Sequence, residues 1–139
     1  PFVGIFLGLQ LLFDRSEEFG DYSGLGLIKG KVKKFKLYSH NSTKYPVPQI
    51  GWNKIKRMDA SWEDSLLCNN TNDDFMYFVH SYFVEPENDN IMLSKTTYGN
   101  TEYCSSIQQN NIFACQFHPE KSGEIGINIY KNIKEEYCS

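Results

Sequence analysis

The sequence predicts an α/β domain, and three observations carry that prediction. The first is the opening stretch, residues 1–13. Apolar residues lead into Gly4-Ile5-Phe6-Leu7-Gly8, and a second apolar run of Leu7, Leu9, Leu11, Leu12 and Phe13 follows. Glycines two before and two after Phe6 give the layout of a nucleophile elbow, a buried strand turning sharply into a helix. The second is the stretch 75–84, rich in Phe, Tyr and Val, which reads as the strongest strand. The third is the C-terminal stretch, which reads as a helix from near Ile125 to Tyr137.

At an elbow the central side chain points outward at a helix N-terminus, where backbone N–H groups and the helix dipole favour negative charge. A thiolate there would be stabilised and activated. The residue at that position is Phe6, which is neither nucleophile nor base. The chain has the mount for a catalytic group without the group.

The elements follow in order. The elbow predicts a helix over 7–13. Ser16 to Gly20 reads as a polar turn, and residues 25–36 as extended segments. Lys29, Lys31 and Lys33 alternate with Gly30 and Val32, the pattern of a strand with one wet face; a docking surface for an acidic partner is the other reading. Residues 39–44 read as a loop. Pro46 and Pro48 exclude helix from 46–53, so this stretch should be extended and turn at Gly51, with the Trp52 indole packed. Ser61 with acidic residues behind it predicts a short helix over 61–67. A polar loop over 69–74 precedes the aromatic strand. A turn at 88–90 leads to a strand over 91–98, and Gly99-Asn100 predicts a hairpin into 101–108. A short apolar strand over 112–117 runs directly into His118-Pro119-Glu120-Lys121-Ser122.

A chain of 139 residues is long enough for one domain with a real core. A net charge of −3 gives no electrostatic case for nucleic-acid binding. Cys68, Cys104, Cys115 and Cys138 show no C-x-x-C spacing, so a zinc site is not expected, and they read as four reduced thiols of a cytosolic protein. The triplets starting at Asn41 and Asn69 fit glycosylation of a secreted protein only weakly. The apolar run at 1–13 is too short to cross a bilayer, Gln10 interrupts it and no basic segment precedes it. An apolar strand at residue 1 with no Met before it suggests part of a longer chain.

Two polar clusters carry candidate chemistry. In His118-Pro119-Glu120 the proline fixes the backbone between a histidine and a carboxylate, an arrangement in which an acid orients a base; the plain alternative is a surface hydrogen bond. His80-Ser81-Tyr82 is either a hydrogen-bonded core histidine with its neighbours on alternate faces, or a ligand contact at a strand end. Gln10 reads as a surface residue on the first turn past the elbow, facing whatever sits there.

Six blocks then occur in a recognisable order. They are residues 4–13, Ser16-Glu17-Glu18, Gly24-Leu25-Gly26-Leu27-Ile28, Val47-Pro48-Gln49-Ile50-Gly51-Trp52-Asn53, Tyr77-Phe78-Val79-His80-Ser81-Tyr82 and Gln116-Phe117-His118-Pro119-Glu120-Lys121-Ser122-Gly123. Together they resemble class I glutamine amidotransferases, nearest to the glutaminase branch of imidazole glycerol phosphate synthase. The resemblance covers the whole chain. It implies a three-layer α/β sandwich around a central, mostly parallel sheet, with residues 1–139 forming the C-terminal two thirds of a type-1 amidotransferase domain and its first part missing.

The resemblance also implies hydrolysis of glutamine to glutamate and ammonia. The ammonia would pass to a cyclase subunit with a (β/α)8 barrel, in a cytoplasmic heterodimer of histidine biosynthesis. No cofactor, metal, nucleic acid or membrane is implied. His118 matches the family's base and Glu120 its orienting acid. Gly8, Gln10, Ser81 and Tyr82 match positions that hold glutamine, and the Leu7 backbone N–H matches one half of the oxyanion hole. Phe6 stands where the family has its nucleophilic Cys, and Gln49 where a His is expected. Three readings remain open: the glutaminase subunit with its nucleophile lost, an ammonia-supplying paralogue of a surface-sugar pathway, and a catalytically dead docking or regulatory subunit.

Overall fold

Successive residues are buried along 103–107 and 113–115, so both faces of the sheet are covered there. The computed structural model describes residues 1–18, 20–36, 45–58 and 61–138; the loop expected at 39–44 and the triplet at Asn41 lie outside them. The strands are β1 (Phe2–Ile5), β2 (Phe13–Ser16), β3 (Tyr22–Ser23), β4 (Ile28–Lys34), β5 (Gln49–Arg57), β6 (Asp74–His80), β7 (Tyr82–Pro86), β8 (Met92–Tyr98), β9 (Thr101–Gln109) and β10 (Ile112–Cys115). The helices are α1 (Leu7–Gln10) and α2 (Gly123–Tyr137), with single 3₁₀ turns at Asp89–Ile91 and Pro119–Lys121.

All ten strands join one sheet, in the order β3-β2-β4-β7-β9-β8-β5-β6, with β10 also on β9 and β1 beyond β10. The sheet forks at β9. One edge of β9 pairs with β8, while the other meets β7 at Cys104 and β10 from Ser106 to Gln109. The elbow and α1 connect β1 on one branch to β2 on the other.

Two cores lie on opposite faces. Along β9, Tyr103 joins the core built on Phe35, Phe78, Phe113 and Phe117, and Cys104 joins the one built on Leu9, Leu12, Val32 and Ile107. Helix α2 covers the first through Ile129, Ile133 and Tyr137, and α1 enters the second through Leu9. The layers are therefore helix, sheet, helix.

The sheet itself corrects the expectation of a mostly parallel one. Among the described residues, β1 with β10 and β2 with β4 are parallel and the other seven pairings are antiparallel. Short connections cause this. Gly99-Asn100 joins β8 to its neighbour β9, and Asn110-Asn111 joins β9 to its neighbour β10. Neither is long enough for the crossover that a parallel pair needs.

Four further expectations change. The helix over 7–13 stops at Gln10: the Leu12 N–H donates to Leu9 O at 3.2 Å in a tighter turn, and Phe13 enters β2, where it pairs with Ile28. Gly51 does not turn the chain; it pairs with Phe78 inside β5, and Trp52 lies on the exposed face. Residues 61–67 form successive turns, not a helix. Trp62 Nε1 donates to Leu93 O at 2.7 Å and Ser65 Oγ to Trp62 O at 2.9 Å, and these bonds fix the segment while Leu66 and Leu67 enter the core. So short a segment has little helical stability of its own to oppose them. The aromatic strand over 75–84 breaks at Ser81, whose carbonyl accepts from Phe35 N–H at 3.0 Å. The alternating lysines behave as a wet strand face: Ile28, Gly30 and Val32 are buried while Lys29 and Lys31 are exposed.

Gln49 and His80 lie in a buried polar group. Gln49 Nε2 donates to Tyr103 Oη at 2.7 Å and lies 2.7 Å from His80 Nε2, and Asn53 Nδ2 donates to Gln49 Oε1 at 2.9 Å. His80 Nδ1 donates to Tyr82 O at 2.7 Å, so Nε2 is the acceptor and the ring is neutral. Burial pushes the His80 pKa down to about 4; the Tyr82 carbonyl opposes this and His118 adds to it. The unfolded chain takes up this proton near pH 6.5 and the folded chain only near 4. The unfolded state therefore binds more protons in between. Stability is expected to be full above pH 6.5 and to fall as the pH drops towards 4, by roughly 3 kcal/mol across the window. Urea unfolding at pH 7.5 and 5 measures the slope, and His80→Gln should flatten it. The same slope in both proteins would refute this role.

Candidate active site

The elbow forms as its glycines require. A side chain at Gly4 would meet the Gly8 backbone at 2.8 Å, so β1 and α1 approach closely only because Gly4 has none. Phe6 has φ 55° and ψ −105°, a sparsely populated conformation for a residue with a side chain. Its N–H donates to Cys115 O at 2.8 Å, and its carbonyl accepts from Leu9 N–H at 3.1 Å and Gln10 N–H at 3.3 Å. The position is thus held between β10 and α1. The N–H groups of Leu7 and Gly8 open the helix, and no described residue accepts from either.

The β10 strand delivers His118 to the same place. His118 N–H donates to Tyr77 O at 2.9 Å. The buried Ser122 closes the turn: its Oγ donates to His118 O at 2.6 Å and accepts from Tyr77 N–H at 2.9 Å. Helix α2 packs on this turn at Gly126, where a side chain would meet Pro119 O at 2.1 Å.

His118 Nδ1 lies 2.7 Å from Glu120 Oε1. A carboxylate only accepts, so Nδ1 carries the proton and Nε2 is left as the basic nitrogen. That Nε2 is buried without a partner. The Phe6 ring stacks on the imidazole, with centroids 5.3 Å apart and planes at 28°. Burial alone would raise the Glu120 carboxyl, but its own backbone N–H, the His118 imidazole and the Tyr130 hydroxyl outweigh it and hold it below the usual range. Glu120 is ionised at neutral pH and orients a base, and the ring beside that base has no proton to give.

No cysteine stands at the elbow. Burial pushes the Cys104 thiol up to about 12 and the Cys115 thiol well above its ordinary value. Cys68 and Cys138 are exposed; Cys68 lies in the turns before β6 and Cys138 at the end of α2, both far from the elbow in sequence.

Gln10 corrects its surface reading. It is buried, and its Nε2 donates to Tyr82 O at 3.3 Å and to Gln116 Oε1 at 3.1 Å. It thereby ties α1 to both branches of the forked sheet. Tyr82 meets the elbow through its backbone carbonyl, whereas Ser81 bonds through its own carbonyl to Phe35. Beside the elbow an open cleft of about 410 Å³ is bordered by Leu7, Gln10, Ser16, Glu18, Tyr22 and Gly24. Glu18 was legible as part of a polar turn and of the Ser16-Glu17-Glu18 block, but no role was read for it; its place beside the elbow comes from the chain folding back after β2.

The Glutamine amidotransferase class-I profile matches residues 1–134. The chain belongs to the class-I glutamine amidotransferase family. It is 46% identical over 135 residues to imidazole glycerol phosphate synthase subunit HisH of Methanocaldococcus jannaschii, covering 97% of this chain and 63% of that one. Identity is 43% over 133 residues to the HisH subunit of Chlorobium chlorochromatii, covering 96% and 62%, and 42% over 142 residues to that of Cyanophora paradoxa, covering 100% and 61%. The chain thus spans a little over three fifths of these relatives. A solved structure from Thermoplasma acidophilum, provisionally assigned as part of a GMP synthase, superposes with a TM-score of 0.58 at 18% identity, covering 95% of this chain and 54% of that one. This likeness places the amidotransferase chain within that α/β fold.

Proposed function

We propose that this amidotransferase chain is the C-terminal two thirds of the glutaminase subunit of imidazole glycerol phosphate synthase, silenced by Phe6. The observation that carries the reading is the Phe6 elbow stacked over an intact His118–Glu120 pair. Its relatives named as HisH subunits of that synthase support the pathway.

With a thiol at position 6, His118 Nε2 would take the thiol proton and the thiolate would attack the glutamine amide carbon. The Leu7 N–H would face the resulting oxyanion. His118 would return the proton to the departing nitrogen, releasing ammonia, and water would then hydrolyse the thioester to glutamate. Gly8 has open space beside it, Gln10 borders the cleft and is held by the Tyr82 carbonyl, and the Glu18 carboxylate suits the α-ammonium of glutamine; Ser81 matches the family pattern but bonds through its carbonyl to Phe35 instead. Ammonia release from glutamine by the full-length protein carrying Phe6→Cys, with its synthase partner present, tests this activity.

Phe6 specifically favours a second reading, a docking subunit without catalysis. Both readings need the same partner, a cyclase subunit with a (β/α)8 barrel, and both place the protein in the cytoplasm. No helix among the described residues is long and apolar enough to cross a membrane. The surface we assign to the partner is the outer face of β5 and β6. Ile50, Trp52 and Phe75 are 63%, 56% and 48% exposed there, and Trp52 lies opposite Tyr77. Lys54 sits 5.6 Å over the Phe75 ring and Lys121 5.9 Å over the Tyr77 ring. Trp and Tyr are among the side chains that dominate interface energetics. Trp52→Ala is expected to weaken binding to the cyclase subunit by about 2 kcal/mol, roughly 30-fold in Kd, measured by calorimetric titration. An unchanged Kd would rule this face out.

A further inference from the structure

We propose that Tyr130, in the middle of α2, is a positioning residue for the His118–Glu120 pair, holding the carboxylate oxygen that His118 leaves free. The inference rests on the reading of His118 as a base. Glu120 sits on a single 3₁₀ turn, and its side chain is 46% exposed, against 15% for His118. The terminal torsion of a glutamate is broad, so one bond from an imidazole does not fix the carboxylate plane. Tyr130 supplies the second bond: its hydroxyl donates to Glu120 Oε2 at 3.3 Å while Oε1 faces His118 Nδ1 at 2.7 Å. The two donors lie on different elements, the end of the β10 branch and the covering helix. The carboxylate plane, and with it the direction of His118 Nε2, is therefore set by how α2 packs on the Pro119–Lys121 turn. The close approach at Gly126 fixes that packing.

The titratable groups that act on Glu120 and Tyr130 support the direction of the bond. They are His118, Tyr130 and Glu120 themselves, and Cys115 beneath them on β10. Burial pushes the Tyr130 hydroxyl up to about 12, and the Glu120 charge adds to the effect. It stays protonated at every pH at which the pair could work, as a donor must. Cys115 stays a neutral thiol, with Sγ donating to Phe117 O at 3.4 Å. Tyr130 does not line the cleft, and its hydroxyl bonds to Glu120, so it acts through that carboxylate.

Two measurements on the full-length protein test the role. The first is a carbon-13 NMR titration of the Glu120 carboxyl, in the protein as it stands and in Tyr130→Phe, which keeps the ring and removes only the hydroxyl. The expected result is an upward shift of the Glu120 titration in the variant, with urea unfolding unchanged. A titration that does not move overturns the proposal. The second compares Phe6→Cys with the double variant Phe6→Cys/Tyr130→Phe in glutamine hydrolysis with the partner present. Loss of one charge-assisted hydrogen bond should lower kcat about tenfold and move the acid limb of the pH profile upward, with KM unchanged. Equal kcat and an unmoved limb overturn the positioning role. A Phe6→Cys protein without any activity instead overturns the glutaminase reading, and the NMR titration still decides whether Tyr130 holds Glu120.

Discussion

Phe6→Cys is expected to raise glutamine hydrolysis by the full-length protein with its synthase partner by on the order of 10⁶-fold, the loss seen when a comparable triad lacks its nucleophile. Three features of the site support so large an effect from one side chain. The backbone at position 6 already has the elbow conformation, tied to Cys115 on one side and to α1 on the other. The base is oriented, with Nδ1 on Glu120 and Nε2 without a partner. The phenyl ring that covers the imidazole is the group removed. The smaller thiol would stand next to that nitrogen at the head of α1, where a thiolate is favoured. Ammonia release with glutamine, measured with and without the change, decides the matter. Activity in the Cys form alone supports the glutaminase reading. Equal activity in both would mean that position 6 is not the nucleophile's. Activity in neither supports the docking subunit.

Phe117→Ala should cost about 3–5 kcal/mol of stability, the range for a large aromatic removed from a close-packed core. Phe117 is fully buried and packs edge-on against Phe78, with centroids 5.8 Å apart. It is also the residue before His118, so the cavity would open beneath the turn that carries His118 and Glu120. Phe117→Leu, which leaves less empty volume, should lose clearly less. Urea unfolding at pH 7.5, above the window in which His80 titrates, measures both. A loss below about 1 kcal/mol for the alanine variant would show that the site collapses without penalty, contrary to the packing described.

What could be read in the chain was what short-range chemistry decides. Two glycines flanking one position specify a close strand-to-helix turn, and Gly4 meets Gly8 as that pattern requires. Gly99-Asn100 specifies a tight hairpin and joins β8 to β9. A proline between His118 and Glu120 keeps two side chains within reach of one bond, and they are 2.7 Å apart. Elements whose ends are fixed by distant partners were misread. The end of the 7–13 helix was lost to the sheet, because Phe13 in β2 pairs with Ile28. Ser61 and its acidic neighbours suggested a helix, but Trp62 is anchored to β8. Gly51 suggested a turn, but β6 holds it in a ladder.

The sequence by itself therefore determined the α/β class, the elbow without its nucleophile and the histidine–carboxylate pair, since each depends on residues within a few positions of one another. Tertiary structure alone decided the mixed sheet that forks at β9, the burial of Gln10 between its two branches, the stacking of Phe6 on His118 and the reach of Tyr130 to Glu120. Each of these joins residues brought together by the order of strands and the packing of helices. No local propensity records that order, because it is set by which apolar faces can be covered at once.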